Sequence, residues 1–155
     1  MAATEITRGD PLSPDLALLH ARHAADMHAE TPPESIHMLP PAELARPGID
    51  FFVLREGGNL VGMGALKRIG TRHAEIKSMH VLAEARGRGL SRLMLDHLIA
   101  HARALGCGRI SLETGAEAIF APARALYGRA GFVECAPFEG YREDPNSVFM
   151  TLDLA

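Results

Sequence analysis

The chain has 155 residues, the length of one domain (1–155), and 47% of them are hydrophobic, enough for a core without disulfides or metal. Its formal net charge of −3 argues against a nucleic-acid partner, although a local basic loop is compatible with it. The N-terminus lacks a basic stretch followed by an apolar run, and no segment reaches the roughly 18 apolar residues of a membrane helix. We therefore expect a cytoplasmic protein in which Cys107 and Cys135 are reduced and buried.

The first half of the chain predicts a helix, a loop and three strands. Ser13-Pro14-Asp15 precedes Leu16, Leu18 and Leu19, which indicates a helix that runs to about His28. The prolines between residues 32 and 47 predict a flexible lid with at most one short helix at 37–46. Two apolar runs, 51–55 and 60–67, flank a glycine turn and predict a hairpin, and a third strand is expected at 74–81.

The second half alternates helices and strands. Apolar residues recur at helical spacing up to Leu105, and Gly106 follows, so a helix is predicted at 92–105. A strand at 109–113, a helix at 122–130 and strands at 133–137 and 147–154 complete the prediction. This alternation favours a mixed α/β fold in which a central twisted sheet is flanked by helices.

A glycine-rich loop, Arg86-Gly87-Arg88-Gly89-Leu90-Ser91, lies between the strand at 74–81 and the following helix. Backbone N–H groups at a helix start are free, and glycines let a ligand approach them, so the loop suits a pyrophosphate. The two arginines add positive charge beside it. A dinucleotide site would need a third glycine where Arg92 stands and an acid near Arg109, so we discard that interpretation.

Two motifs together resemble the GCN5-related N-acetyltransferase (GNAT) family. Arg86, Gly89 and Ser91 match the pattern Arg/Gln-x-x-Gly-x-Gly/Ala, with Ser91 in place of the usual small residue. Leu126-Tyr127 with Gly131-Phe132 matches the pattern Leu-Tyr-x-x-x-Gly-Phe, and the resemblance extends from about Phe51 to the C-terminus. It implies the GNAT-like acyl-CoA N-acyltransferase fold and direct acetylation of an amine with acetyl-CoA as co-substrate.

The same resemblance implies which residues hold the cofactor. Backbone N–H groups around Met79 and Val81 would polarise the thioester carbonyl. The full set expected to contact acetyl-CoA is Met79, Val81, Arg86, Gly87, Arg88, Gly89, Leu90 and Ser91.

Amine acetylation also requires groups that move protons. An alkylammonium has a pKa of about 10.4, so at pH 7 only about one molecule in a few thousand is a free amine, and its proton needs an acceptor. Glu113, at the end of one strand, and Glu75, on another, would both lie near the site if these strands splay as in the family. Tyr127 resembles the family's general acid, which protonates the departing thiolate.

Five further sequence blocks together resemble a subfamily of small, stand-alone bacterial acetyltransferases: Ser35-Ile36-His37, Glu75-Ile76-Lys77-Ser78-Met79, Leu112-Glu113-Thr114-Gly115, Pro137-Phe138-Glu139-Gly140-Tyr141 and residues 144–150. The resemblance implies a pocket built from the lid at 31–41 and the turn at 138–146, with His37, Lys77, Phe138 and Tyr141 near a small-molecule amine. Two alternatives stay open: acetylation of a protein or peptide, and a non-catalytic coenzyme A-binding sensor. A homodimer also stays open.

The histidines and methionines add weaker signals. His80 is expected to pack on the sheet, with a proton-shuttling role as its alternative. His97 and His101 have the i, i+4 spacing of a zinc pair, but residue 98 is Leu where a zinc-protease motif has Glu, so no metal is expected. Met38 and Met79 are candidates for the lining of the pocket.

Overall fold

A computed structural model describes residues 3–154 of the chain. Its centre is a seven-stranded sheet with the spatial order β1-β2-β3-β4-β5-β7-β6. The strands are β1 (Thr4–Arg8), β2 (Ile49–Glu56), β3 (Asn59–Gly70), β4 (His73–Val81), β5 (Arg109–Gly115), β6 (Val133–Glu134) and β7 (Ser147–Asp153). The helices are α1 (Ala17–Glu30), α2 (Pro41–Leu44), α3 (Leu90–Ala104) and α4 (Ala121–Arg129).

The predicted mixed α/β sheet with flanking helices is confirmed. Two strands differ from their predictions. The N-terminal strand β1 was not predicted, because it is a short and mostly exposed edge strand without a clear apolar alternation. The strand expected at 133–137 ends at Glu134, and the Cys135 N–H makes one further bond, to the Phe149 carbonyl of β7 at 2.8 Å, before the chain enters the turn at 138–146.

Helix α3 anchors the core against the sheet. Leu90, Met94, Leu95 and Leu98 are almost completely buried, whereas Arg92 and Asp96 form an ion pair on the opposite face. The helix begins at Leu90, two residues earlier than predicted, because Gly89 adopts a left-handed conformation with φ 78° as its N-cap. The helix start is thereby fixed directly behind the glycine-rich loop.

Strands β4 and β5 separate after a short parallel ladder. Only His73, Ala74 and Glu75 of β4 pair with β5 among the described residues. Beyond Glu75, the ladder between β3 and β4 is irregular, and Ser78 has φ 52°, a left-handed conformation that a non-glycine residue rarely adopts. The divergence and the bulge leave one edge of β4 open toward the layer formed by α4 and the lid.

The cysteines, the histidine pair on α3 and the lengths of the helices can each be compared with the predictions. Cys107 and Cys135 are free thiols, as expected, but both are partly exposed rather than buried. The rings of His97 and His101 both pack edge-on against the buried ring of Phe52 on β2. Among residues 3–154, no helix has the length and apolar character needed to cross a membrane.

Candidate active site

A cavity of about 590 Å³ occupies the gap between β4 and β5. Its walls come from α1, the lid, the glycine-rich loop, α4 and the ends of both strands. It brings together most of the predicted site residues: His37, Lys77, Met79, Val81, Arg86, Gly87, Gly89, Leu90, Ser91, Glu113 and Tyr127. Met38 also lines it.

The glycine-rich loop forms an open cradle at one end of this cavity. Gly87 and Gly89 have φ values of 82° and 78°, and a Cβ placed on either would meet no atom within 4 Å. Within the described chain, the backbone N–H groups of residues 87–92 have no hydrogen-bond acceptor, since the first α3 bond runs from Leu93 to Gly89. The cradle therefore presents free donors and the positive end of a helix to an anion.

The two arginines of the loop have different positions. The Arg86 side chain donates to the Val81 carbonyl at 3.0 Å and lines the cavity. The Arg88 guanidinium pairs with Glu56 at 2.7 Å, and Arg88 is absent from the described lining. Arg86 is thus the arginine that can face a phosphate in this structure.

Tyr127 lies on α4, where its side chain is buried and forms part of the cavity wall. The ring packs against Phe132, which explains why the motif pairs a Tyr with a Gly-Phe after the helix. Burial, reinforced by the nearby Glu113 carboxylate, raises the pKa of Tyr127 to about 12. Its hydroxyl remains protonated at neutral pH and can act only as a proton donor.

Glu113 lies near the end of β5 and lines the same cavity. Burial raises the pKa of its carboxyl from 4.5 to about 7, with Lys77 nearby acting in the opposite direction. A carboxylate with this pKa is about half ionised at pH 7, which suits a group that accepts and releases a proton.

The raised pKa of Glu113 predicts a stability effect. Because the carboxyl is harder to ionise in the folded state, its contribution to stability is complete below pH 4.5 and is lost as the pH rises through about 7. Glu113→Gln should therefore be more stable than wild type at pH 8, by up to about 3 kcal/mol, and equally stable at pH 4. Urea unfolding of both proteins at the two pH values measures this difference, and an equal difference at both would contradict it.

Glu75 is held in a buried network beside the cavity. It is 2% exposed, accepts a hydrogen bond from the Tyr141 hydroxyl at 2.5 Å and pairs with the Lys77 ammonium at 3.1 Å. Lys77 also donates to the Tyr141 hydroxyl at 2.5 Å and to the His37 carbonyl at 3.2 Å. In the part of the chain described, Glu75 does not line the cavity, so the two carboxyl groups differ in position: Glu113 is on the cavity wall and Glu75 is buried beside it.

The lid is fastened to the rest of the molecule. The Thr31 hydroxyl donates to Glu117, and the Ser35 hydroxyl donates to Asp144 at 2.5 Å. Thr31 and Ser35 are both buried, whereas their acceptors Glu117 and Asp144 are partly exposed. The turn at 138–146 was expected to line the pocket, but none of its residues lines the described cavity. It instead contacts the lid, through the bond from Ser35 to Asp144.

Phe138 and Tyr141 of that turn belong to a cluster of aromatic rings. The Phe138 ring packs against Tyr141 and Phe149, and the Tyr141 ring lies edge-on to His37 at 5.1 Å. Of these two predicted substrate residues, Tyr141 contacts the cavity wall, through His37 and Lys77, whereas Phe138 packs behind Tyr141.

Helix α1 contributes a wall that the sequence did not reveal. His23, Asp26 and Met27 all line the cavity, and their i, i+3, i+4 spacing on one face was the signal available. The His23 ring packs edge-on against His80, and burial lowers the pKa of both to about 4, so both are neutral at pH 7. Asp26 lies 3.5 Å from the Arg86 guanidinium.

With this geometry established, a family model described as Acetyltransferase (GNAT) family matches residues 17–132. The chain belongs to the GNAT family. A curated relative from Bacillus subtilis, the uncharacterized N-acetyltransferase YsnE, is 49% identical over 132 residues, which cover 85% of this chain and 87% of the relative. The IAA acetyltransferase of Azospirillum brasilense is 39% identical over 136 residues, covering 86% and 84%.

Solved structures share the GNAT fold. A Klebsiella pneumoniae chain, a candidate acyl-CoA N-acyltransferase, superposes with a TM-score of 0.81 at 29% identity and covers 98% of both chains. YncA from Salmonella typhimurium, a candidate acetyltransferase solved with its cofactor acetyl-CoA, has a TM-score of 0.71 at 22% identity, covering 99% of this chain and 95% of YncA. This GNAT protein is accordingly an acetyltransferase whose co-substrate is acetyl-CoA.

Proposed function

We propose that the chain transfers an acetyl group directly from acetyl-CoA to the amine of a small molecule. The observation that carries this proposal is the single cavity that joins the open cradle of Gly87 and Gly89 to Tyr127 and Glu113. A phosphate cradle, a proton donor and a proton acceptor are the parts that direct amine acetylation requires.

The cradle fits the cofactor's pyrophosphate. Free N–H groups from residues 87–92, the α3 N-terminus and Arg86 supply donors and positive charge, and side chains at the two glycines would fill the space. Acetyl-CoA, when bound, supplies the acetyl group as a thioester whose C–S bond breaks as the N–C bond to the amine forms. The open edge of β4 near Met79 and Val81 offers backbone donors toward the same cavity.

The proton transfers fall to two side chains. The Glu113 carboxylate, which is about half ionised at neutral pH with a pKa of about 7, accepts one proton of the ammonium and so frees the amine. A second proton leaves the nitrogen as the N–C bond forms and replaces, through solvent, the proton that Tyr127 gives up. The Tyr127 hydroxyl, whose pKa is about 12, donates a proton to the leaving sulfur. Glu75 holds Lys77 and Tyr141 in place and is a positioning residue in this proposal.

A small acceptor is favoured over a peptide by the fastened lid. A peptide substrate needs a groove that is open at both ends, whereas the lid forms one wall of the cavity and is held in place through Thr31–Glu117 and Ser35–Asp144. The Lys77–His37 contact adds a third link beside the cavity.

A panel of small amines and short peptides, assayed by thiol release from acetyl-CoA, tests the proposed function. We expect turnover with small primary amines and little with peptides. Faster turnover of peptides would transfer the assignment to protein acetylation. Binding of acetyl-CoA without turnover of either class would favour the coenzyme A-binding sensor.

The cradle can be tested by blocking it. Gly89→Glu should weaken acetyl-CoA binding at least about tenfold, because it places a bulky carboxylate where the phosphates are expected to lie. Gly106→Glu is the matched control, since Gly106 follows the other end of α3 with φ 83° and equally open space. Titration calorimetry on both folded variants measures the effect, and equal affinities would place the cofactor elsewhere.

A further inference from the structure

One part of the cavity wall is formed by the lid, by Lys77 and Glu113, and by the segment that follows β5. We name it the acceptor end and define it by six residues: His37, Met38, Lys77, Glu113, Ile119 and Phe120. Met38, Ile119 and Phe120 are its apolar members. Its charged groups are one carboxyl, Glu113, and one ammonium, Lys77.

The charge of the Lys77 ammonium is already balanced. Its side chain is 10% exposed, donates to the Tyr141 hydroxyl and the His37 carbonyl, and lies 3.1 Å from the Glu75 carboxylate. The Glu75 carboxylate is itself 3% exposed at the side chain and forms an ion pair with Lys77. Lys77 therefore offers little net charge to a substrate carboxylate.

The other cations of the described lining lie elsewhere. Arg86 and Arg92 belong to the glycine-rich loop and the start of α3, and Arg129 is in the last turn of α4. All three are exposed to solvent. A carboxylate at the acceptor end would consequently lie beside Glu113 without a compensating cation.

We propose that the acceptor is a hydrophobic primary amine without an acidic group, of the aryl-alkyl amine class. This inference rests on the proposed function, because it assigns the substrate of the same site. The ammonium group of such a molecule meets Glu113, and its apolar body lies against Met38, Ile119 and Phe120.

The discrimination should be large. A buried carboxylate without a partner loses its hydration and gains no compensating contact, so an amino acid should be at least about tenfold poorer than its analogue without the carboxylate. The aryl ring gains by burial against the apolar wall in both molecules, so it does not contribute to the difference.

The experiment compares L-phenylalaninol with L-phenylalanine, which share the ring and the position of the amine but differ in one carboxylate. We expect kcat/KM for phenylalaninol to exceed that for phenylalanine at least about tenfold at pH 8, with phenethylamine also accepted. Equal values, or a preference for phenylalanine, would overturn the inference.

Binding separates this inference from the proposed function. Each ligand is titrated calorimetrically into the protein saturated with coenzyme A, which cannot transfer an acetyl group. Tighter binding of phenylalaninol than of phenylalanine supports the assigned class even if no amine is turned over, in which case the proposed function alone fails. Absence of binding by both phenylalaninol and phenethylamine would overturn the class.

A variant tests the charge balance itself. Glu75→Gln removes the negative charge that neutralises Lys77, so the preference for phenylalaninol over phenylalanine should fall by about three- to tenfold. Tyr141→Phe is the control, because it removes a hydrogen bond from the same network without changing any charge. An unchanged preference in a folded Glu75→Gln protein would contradict the role given to Lys77.

Discussion

Tyr127→Phe should lower kcat by about ten- to a thousandfold and leave the affinity for acetyl-CoA within about threefold of wild type. The substitution removes one hydroxyl, the proposed proton donor at the leaving sulfur, and leaves the ring packed on Phe132. In the described chain this hydroxyl has no hydrogen-bond partner whose loss would destabilise the fold. Single-turnover rates of thiol release, together with calorimetric titration of acetyl-CoA, separate the two effects.

Tyr141→Phe is the natural comparison, because Tyr141 is the other of the chain's 2 tyrosines. Its hydroxyl bonds the buried Glu75, so its removal should cost about 1 to 2 kcal/mol of unfolding free energy and affect the acceptor's KM more than kcat. A wild-type kcat in Tyr127→Phe would show that water or another group protonates the thiolate.

Local sequence signals predicted the glycine-rich loop and the helix that follows it. The glycines at 87 and 89, the helix behind them and the Tyr-Gly-Phe motif each act within a few residues, so their consequences can be read from the chain. The strands and helices around them follow from apolar periodicity for the same reason. Edge strand β1 escaped prediction, since its pairing with β2 joins residues about 50 apart.

The acceptor end depends on distant contacts that no local pattern encodes. Glu75 and Glu113 look equivalent in the sequence, because each is an acidic residue on a strand near the expected site. Tyr141, 66 residues after Glu75, makes one of them a buried partner, and the divergence of β4 and β5 leaves the other on the cavity wall. The bulge at Ser78 was equally hidden, since a positive φ at serine follows from sheet geometry rather than from residue type.

The lid shows the same limit. Its prolines predicted an irregular segment correctly, because proline excludes regular backbone hydrogen bonding. They gave no sign that Thr31 and Ser35 would be buried against Glu117 and Asp144, which lie 86 and 109 residues away. The expected flexible lid is fastened at these two points, and this fastening is what favours a small acceptor.

The choice of Glu113 as the proton acceptor predicts a change in the pH profile. In wild type, kcat/KM should rise with unit slope up to about pH 7, where Glu113 ionises, and then level off while the amine remains an ammonium. Glu113→Gln can use only the free amine, so its rate should keep rising up to the amine's own pKa of about 10.4. The loss should be about a hundred- to a thousandfold at pH 7 and about tenfold smaller for each pH unit above it.

Glu75→Gln provides the matched comparison, because it removes the same charge from a carboxylate that does not line the described cavity. Its profile should level off as in wild type, with the break at a lower pH, since the Glu75 charge helps to raise the pKa of Glu113. Profiles of wild type and Glu113→Gln that superimpose would exclude Glu113 and leave solvent water as the acceptor. A profile of Glu75→Gln that rises continuously to the amine's pKa would instead show that the buried carboxylate controls the proton, because only loss of the base removes the plateau.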